Sequence, residues 1–236
     1  MQTTSALYQT IVAGSHYFET KVVIDGNDVT AEDIKSVRII RKGMPEEKPT
    51  IGGALSATLD LNILEPDFTI PKMATIVVYV RVRNATQTSE WLAQGTFFVD
   101  TRKLSEAVRE RQTMTITAFD AMMKAEADYP DTNHDWPYLD KNVVAEIAST
   151  IGVTVDSRTN GFLTAGYMLY LPVGYTMRET LENIAASYGG NFVITADNKL
   201  LFVPLYGLDP TVSGNYLADE SGNALVFGNE GWCILV

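Results

Sequence analysis

Through the first half of the chain, apolar and polar residues alternate with a period of two, the signature of half-buried β-strands. The longest example spans residues 55–63. There Leu55, Ala57, Leu59, Leu61 and Ile63 are separated by Ser56, Thr58, Asp60 and Asn62, which predicts one continuous strand. Ile76, Val78, Val80 and Val82 form a second column and leave Tyr79, Arg81 and Arg83 on the opposite face. Met114, Ile116 and Ala118 alternate with Thr113, Thr115 and Thr117. Shorter runs at 20–25, 34–41 and 95–100 bring the strands to about six, with turn signals such as Asp25-Gly26-Asn27 between them. Strands punctuated in this way predict an antiparallel barrel or sandwich. Trp91, Phe97 and Phe98 flank Gly95 and read as its core, with Trp91 also a candidate for a contact surface.

At Asp120 the period changes. Residues 120–127 offer an Asp N-cap and a short helix, and 128–138 form a polar loop with Pro130 and Pro137. Asp140 then reads as the cap of a helix with Val144, Ile147, Ala148 and Ile151 on one face and Gly152 at its end. A short strand at 153–156, a turn at 157–161 and a strand at 166–171 follow. The clearest signal is Thr176 with Glu179, a capping box ahead of Met177, Leu181, Ile184, Ala185 and Tyr188 at helical spacing. Gly189 closes that helix, and two strands at 191–195 and 199–204 predict a hairpin around Ala196-Asp197-Asn198. Residues 119–205 therefore read as a small α/β unit. Beyond Pro204 the pattern returns to β and turn and stops on apolar residues, as in a fragment or a last strand paired inside a barrel.

Composition narrows the function more than the fold. The 236 residues carry a net charge of −11, unevenly spread. Residues 1–111 hold 13 basic against 14 acidic side chains, and residues 112–236 hold 5 against 15. So acidic a second half repels nucleic-acid phosphates, and direct DNA or RNA binding is not expected. No apolar run approaches the roughly 20 residues of a membrane span. The N-terminus lacks the positive and apolar regions of a signal peptide, so synthesis in the cytoplasm without membrane insertion is the expectation. A lone Cys233 excludes a disulfide framework and every multi-cysteine metal site.

Catalytic constellations are missing from the sequence. His134 lies in Asp131-Thr132-Asn133-His134-Asp135, which has carboxylates but no second His or Cys to hold a metal. No nucleophile elbow or phosphate-cradling glycine loop is present, and no cofactor is expected. A carbohydrate-binding or cell-wall-cleaving cleft would need carboxylates beside aromatic walls; Asp131, Asp135, Trp136 and Tyr138 are the best candidates. Arg81 and Arg83 read either as a solvated face or as a subunit contact, which Trp91 would join. A structural or interaction protein fits better than an enzyme.

Four passages, in order along the chain, resemble the tail hub proteins of bacteriophages and prophages. They are HYFETKVVIDG (16–26), IPKMATIVVYVRVRN with SEWLAQGTFFVDTRK (70–103), TITAFDAMMKAEADYP (115–130) and GYTMRETLENIAASYGGNFVITADNKLLFVPL (174–205). The resemblance implies a mainly β, α+β protein: a tube-like antiparallel β-barrel over 1–118, an inserted α/β domain over 119–205, and strands over 206–236 that return to the barrel or begin a second one. It further implies a homotrimer at the virion tail tip, in contact with the distal tail protein, the tail tube and the tape-measure protein. The second barrel of the family is missing from this sequence. The alternatives are a peptidoglycan- or carbohydrate-acting module of the same machinery, or an unrelated β-barrel adaptor.

Overall fold

The computed structural model describes residues 4–44, 50–105, 112–130, 135–163, 166–205, 225–227 and 233–235. Seven strands form one sheet in the order β2-β1-β6-β7-β8-β5-β3. They are β1 (Tyr17–Ile24), β2 (Asn27–Val29), β3 (Ile34–Ile40), β5 (Thr58–Leu64), β6 (Thr75–Arg83), β7 (Leu92–Leu104) and β8 (Thr113–Phe119), and every pairing is antiparallel. Asp25 and Gly26, at φ 46° and 82°, make the tight left-handed turn between β1 and β2.

The sheet curls because β7 is long and twice bulged. It pairs with β6 up to Phe98 and with β8 from Phe98 onward, with register shifts at Val78/Tyr79 and Val99/Thr101. Such bulges add twist and bend a strand. At the first, Gly95 has φ 137°, and a Cβ there would lie 2.9 Å from the Phe97 ring, so only glycine fits. The alternation then does its work. Val22, Ile24, Leu59, Leu61, Ile63, Ile76, Val78, Phe97, Val99 and Ile116 all bury into one core, with Ile34, Val37 and Ile39 of β3 packed against it. Antiparallel β-structure around a single core matches the expectation. Among the described residues the ladder does not close into a barrel, because β2 and β3 remain its two edges.

The second sheet, β10-β13-β12-β4, is built from β10 (Thr154–Val155), β13 (Lys199–Pro204), β12 (Gly190–Ile194) and β4 (Gly53–Leu55). The expected 191–204 hairpin forms, with Asn198 left-handed in its turn. Gly190 sits where a Cβ would come within 2.4 Å of the Val203 carbonyl oxygen, so its role is close approach within the hairpin. Helices α2 (Asp140–Ile151) and α4 (Met177–Tyr188) bury Val143, Val144, Ile147, Ile151, Leu181 and Ile184 against Phe192 and Phe202. The capping box is present in full, and Gly189 closes α4 at φ 70°.

Several expectations are corrected. Residues 55–63 are not one strand: β4 pairs in parallel with β12, and β5 enters the first sheet after only Ser56 and Ala57. The break is made by Asp120, whose carboxylate accepts from Ala57 N at 2.7 Å and Ser56 Oγ at 2.8 Å. Phe98 leaves the first core; it points to the other face of β7 and packs against the second, under the Lys124 ammonium at 3.6 Å. The short helix expected after Asp120 does form over Ala121–Glu126 under that cap, wound as a 3-10 helix. Asp140 is not the cap of α2 but its first residue. Its buried carboxylate accepts from Lys141 N, Tyr167 N and the Tyr188 hydroxyl. Ser157–Phe162 is a short helix, α3, capped by Asp156, where a turn was expected. Helix α1 (Ala6–Val12), the two-residue strand β9 (Tyr138–Leu139) and its pairing with β11 (Met168–Leu169) had no clear sequence signal. Near the C-terminus, β14 (Leu225–Phe227) pairs with β15 (Cys233–Leu235).

Candidate functional site

The register of β1 on β6 sets Glu19 opposite Arg81 and Tyr17 opposite Arg83 on the outer face of the first sheet. Glu19 joins the two arginines: one carboxylate oxygen accepts from Arg81 Nε at 2.7 Å, the other from an Arg83 terminal nitrogen at 2.7 Å. The Arg81 hydrogen bond, ahead of the Arg83 bond, holds the Glu19 carboxyl below the usual range, and the Arg83 guanidinium is pushed up in return. Arg81 lies over the Trp91 ring at 4.2 Å and Arg83 over the Tyr17 ring at 5.2 Å. The arrangement is a strip of alternating rings and charges. Ion pairs this exposed add little to stability, so the strip is a shaped surface rather than a stabilising device.

Phe18 completes it. By alternation it belongs to the inner face with Val22 and Ile24, yet it lies beyond the core and is 59% exposed, edge-on to His16 at 5.2 Å. Tyr17 is 51% exposed. Helix α1 flanks the strip: Ser5 donates to both Glu90 carboxylate oxygens, at 2.8 Å through its N–H and 2.6 Å through its hydroxyl, and Ile11 is buried. Arg81, Arg83 and Trp91, expected as a contact surface, are thus brought together. Glu19, which organises them, is 62 residues from Arg81 in sequence and gave no local signal.

The proposed carbohydrate residues are arranged differently. Asp131, with His134, lies outside the described residues. Trp136 is half-buried, edge-to-face with Tyr129 at 6.3 Å and with Tyr138 at 5.9 Å, and both Trp136 and Tyr138 pack against the second core. Asp135 is exposed beside them. These rings form part of the wall of the second core. Among the described residues no three His, Cys, Asp or Glu side chains gather to hold a metal, and no helix is long and apolar enough to cross a membrane.

One exposed apolar stretch escaped the sequence reading. Tyr167, Met168, Tyr170, Val173 and Tyr175 are each about half exposed or more, on the arm leading to α4. The Tyr-rich run between Gly166 and Gly174 was the available signal. Beneath it, burial and the hydrogen bond to Asp140 push the Tyr188 hydroxyl up to about 12.

No protein-family model and no curated protein matches the chain. Solved structures do. A tail protein from Neisseria meningitidis is 14% identical with a TM-score of 0.55, over 87% of this chain and 58% of that one. The 43 kDa tail protein of prophage MuSo2 from Shewanella oneidensis is 14% identical with a TM-score of 0.53, over 79% and 53%. A prophage tail protein from Listeria monocytogenes is 12% identical with a TM-score of 0.46, over 85% and 56%. The chain spans a little over half the length of these structures, and its fold is the one found in the Neisseria and Shewanella tail proteins.

Proposed function

We propose that this protein is a structural component of a phage or prophage tail, located at the tail tip as a hub that closes the distal tube and anchors its neighbours. The shared fold, which covers 87% of the chain, carries the reading. The work is assembly rather than bond chemistry. Three copies would form a ring on the tail axis and meet the distal tail protein, the tail tube and the tape-measure protein. The Glu19–Arg81–Arg83–Trp91 strip, with exposed Tyr17 on the same face, supplies a subunit contact of the usual kind: rings and arginines at the centre, charges at the rim.

The test is the solution mass by light scattering over a wide concentration range, for the natural chain and for Trp91→Ala. A threefold mass that falls in the variant supports the hub. A stable dimer overturns it, because twofold symmetry cannot continue a sixfold tube. A monomer removes the strip from the role of subunit contact. Release of reducing ends from purified peptidoglycan would instead favour the carbohydrate-acting reading and overturn the non-enzymatic one.

A further inference from the structure

Among the described residues the curled sheet stops short of closing, and the gap has a definite shape. Strand β1 pairs with β6 along all eight of its residues, but β2 covers only Val22, Val23 and Ile24 on its other side. Its first half, 17–21, therefore presents a free edge. Strand β3 pairs with β5 alone and presents a second. Among the described residues nothing pairs with either. A cleft of about 830 Å³ lies between them, lined by residues 18–21 of β1, 34–37 of β3, 28–31 across one end, and Arg81 with Trp91.

A free edge is a row of unpaired backbone N–H and C=O groups that a further strand satisfies. Two edges bordering one cleft, each about four residues long, match an extended segment of four to five residues at ~3.3 Å per residue. The walls also select side chains. Inward, half-buried Ile34 and Val37 continue the apolar core towards exposed Phe18, so that side of an incoming strand meets apolar surface. Outward, the lining carries Lys21, Lys35 and Arg81 against Glu19 and Asp28, a local positive balance on a chain of net charge −11. Lys21 is paired with Asp28 at 2.9 Å and Arg81 with Glu19, while Lys35 is exposed on β3.

We propose that this cleft is a strand-acceptor site. It takes one extended segment of a partner protein, apolar on its inward side and acidic on its outward side, which pairs with β1 and β3 and completes the sheet. The free edges carry this beyond the tail-tip reading, with Arg81 and Trp91 shared between the cleft and the strip.

The experiment uses the full chain and a fluorescein-labelled nine-residue peptide of alternating valine and glutamate, read by anisotropy. One-to-one saturable binding is expected. Methylating every second backbone nitrogen of the peptide, on the side that offers N–H groups to β3, should weaken binding at least about tenfold, because strand hydrogen bonds are lost. Lys35→Glu, an exposed change that leaves the fold intact, should weaken it about two- to fivefold, and replacing the peptide's glutamates by lysines should do at least as much. Equal binding by methylated and unmethylated peptides overturns the proposal, as does failure to saturate by 1 mM. If the chain self-associates and the peptide disperses it, the occupant is a second copy, and the partner-strand assignment is overturned.

Discussion

The two halves of this molecule are held in different ways. The curled sheet is a hydrophobic object: alternate side chains of seven strands enter one core, and in these strands the charged groups stay outside. The α/β module and its junction hold nearly all the buried polar groups. Asp120, Asp140, Asp156, Thr159, Thr180 and Asn191 are there, each with hydrogen-bond partners, and of the buried polar residues among those described only Ser89 belongs to the first half. Apolar burial is nearly indifferent to pH and tolerant of shape, whereas a buried carboxylate is costly unless its acceptors are filled. The sheet is therefore expected to fail through cavities, and the module through lost hydrogen bonds.

The largest effects come from the two cores. Leu61→Ala and Phe202→Ala remove fully buried side chains and should each cost about 3–5 kcal/mol in urea titrations. Trp91 reports on the sheet and Trp136 on the module. With Trp232 replaced by Phe throughout and Trp91 or Trp136 replaced in turn, the one remaining tryptophan should give the same midpoint from either half in either core variant. Two midpoints would show that the halves unfold separately.

The junction comes next. Asp120 accepts from Ser56 Oγ, Ala57 N and Met122 N, while Arg178 on α4 donates to the Ala54 and Met122 carbonyls and ion-pairs with Glu126 at 2.7 Å. Asp120→Ala strips an acceptor from three donors and should cost about 2–3 kcal/mol. It should also separate the two tryptophan midpoints; a single midpoint would move the coupling elsewhere, to Phe98 first.

Acid gives the smallest effect and the clearest contrast of sign. Hydrogen bonding to Arg158 lowers Asp156 to about 2, so its stabilising contribution is complete above its ordinary value of 3.8 and lost as pH falls through 2. Arg158 is half exposed, so the loss should be about 1–2 kcal/mol, and Arg158→Met should flatten it in urea midpoints measured from pH 5 to 2. Asp120 runs the other way. Burial raises its carboxyl above 3.8, so its contribution is largest below that value and declines as pH rises through the raised one. An unchanged acid limb in Arg158→Met would sink the assignment.

What was legible in the sequence follows the range of the forces involved. Alternation at Leu59, Leu61 and Ile63, and the box of Thr176 with Glu179, are local patterns, and they appear in the fold where they were read. The break at Ser56-Ala57 was invisible because alternation runs straight through it; its cause, Asp120, is 63 residues away. Adjacent Phe97 and Phe98 look alike in sequence and serve different cores, because two bodies pack on the two faces of β7. Arg81 and Arg83 could be placed on one face by spacing alone, while Glu19 required the pairing of β1 with β6.

The parallel pairing of β4 with β12 has a consequence in time. Gly53 donates to the Asn191 side chain across 138 residues of sequence. At 5–20 residues per second, a ribosome needs roughly 7–28 s to make the chain between them. Throughout that interval β5 can enter its sheet while β4, two residues before it, waits with an unpaired edge. The newborn chain carries that edge until β12 emerges to cover it.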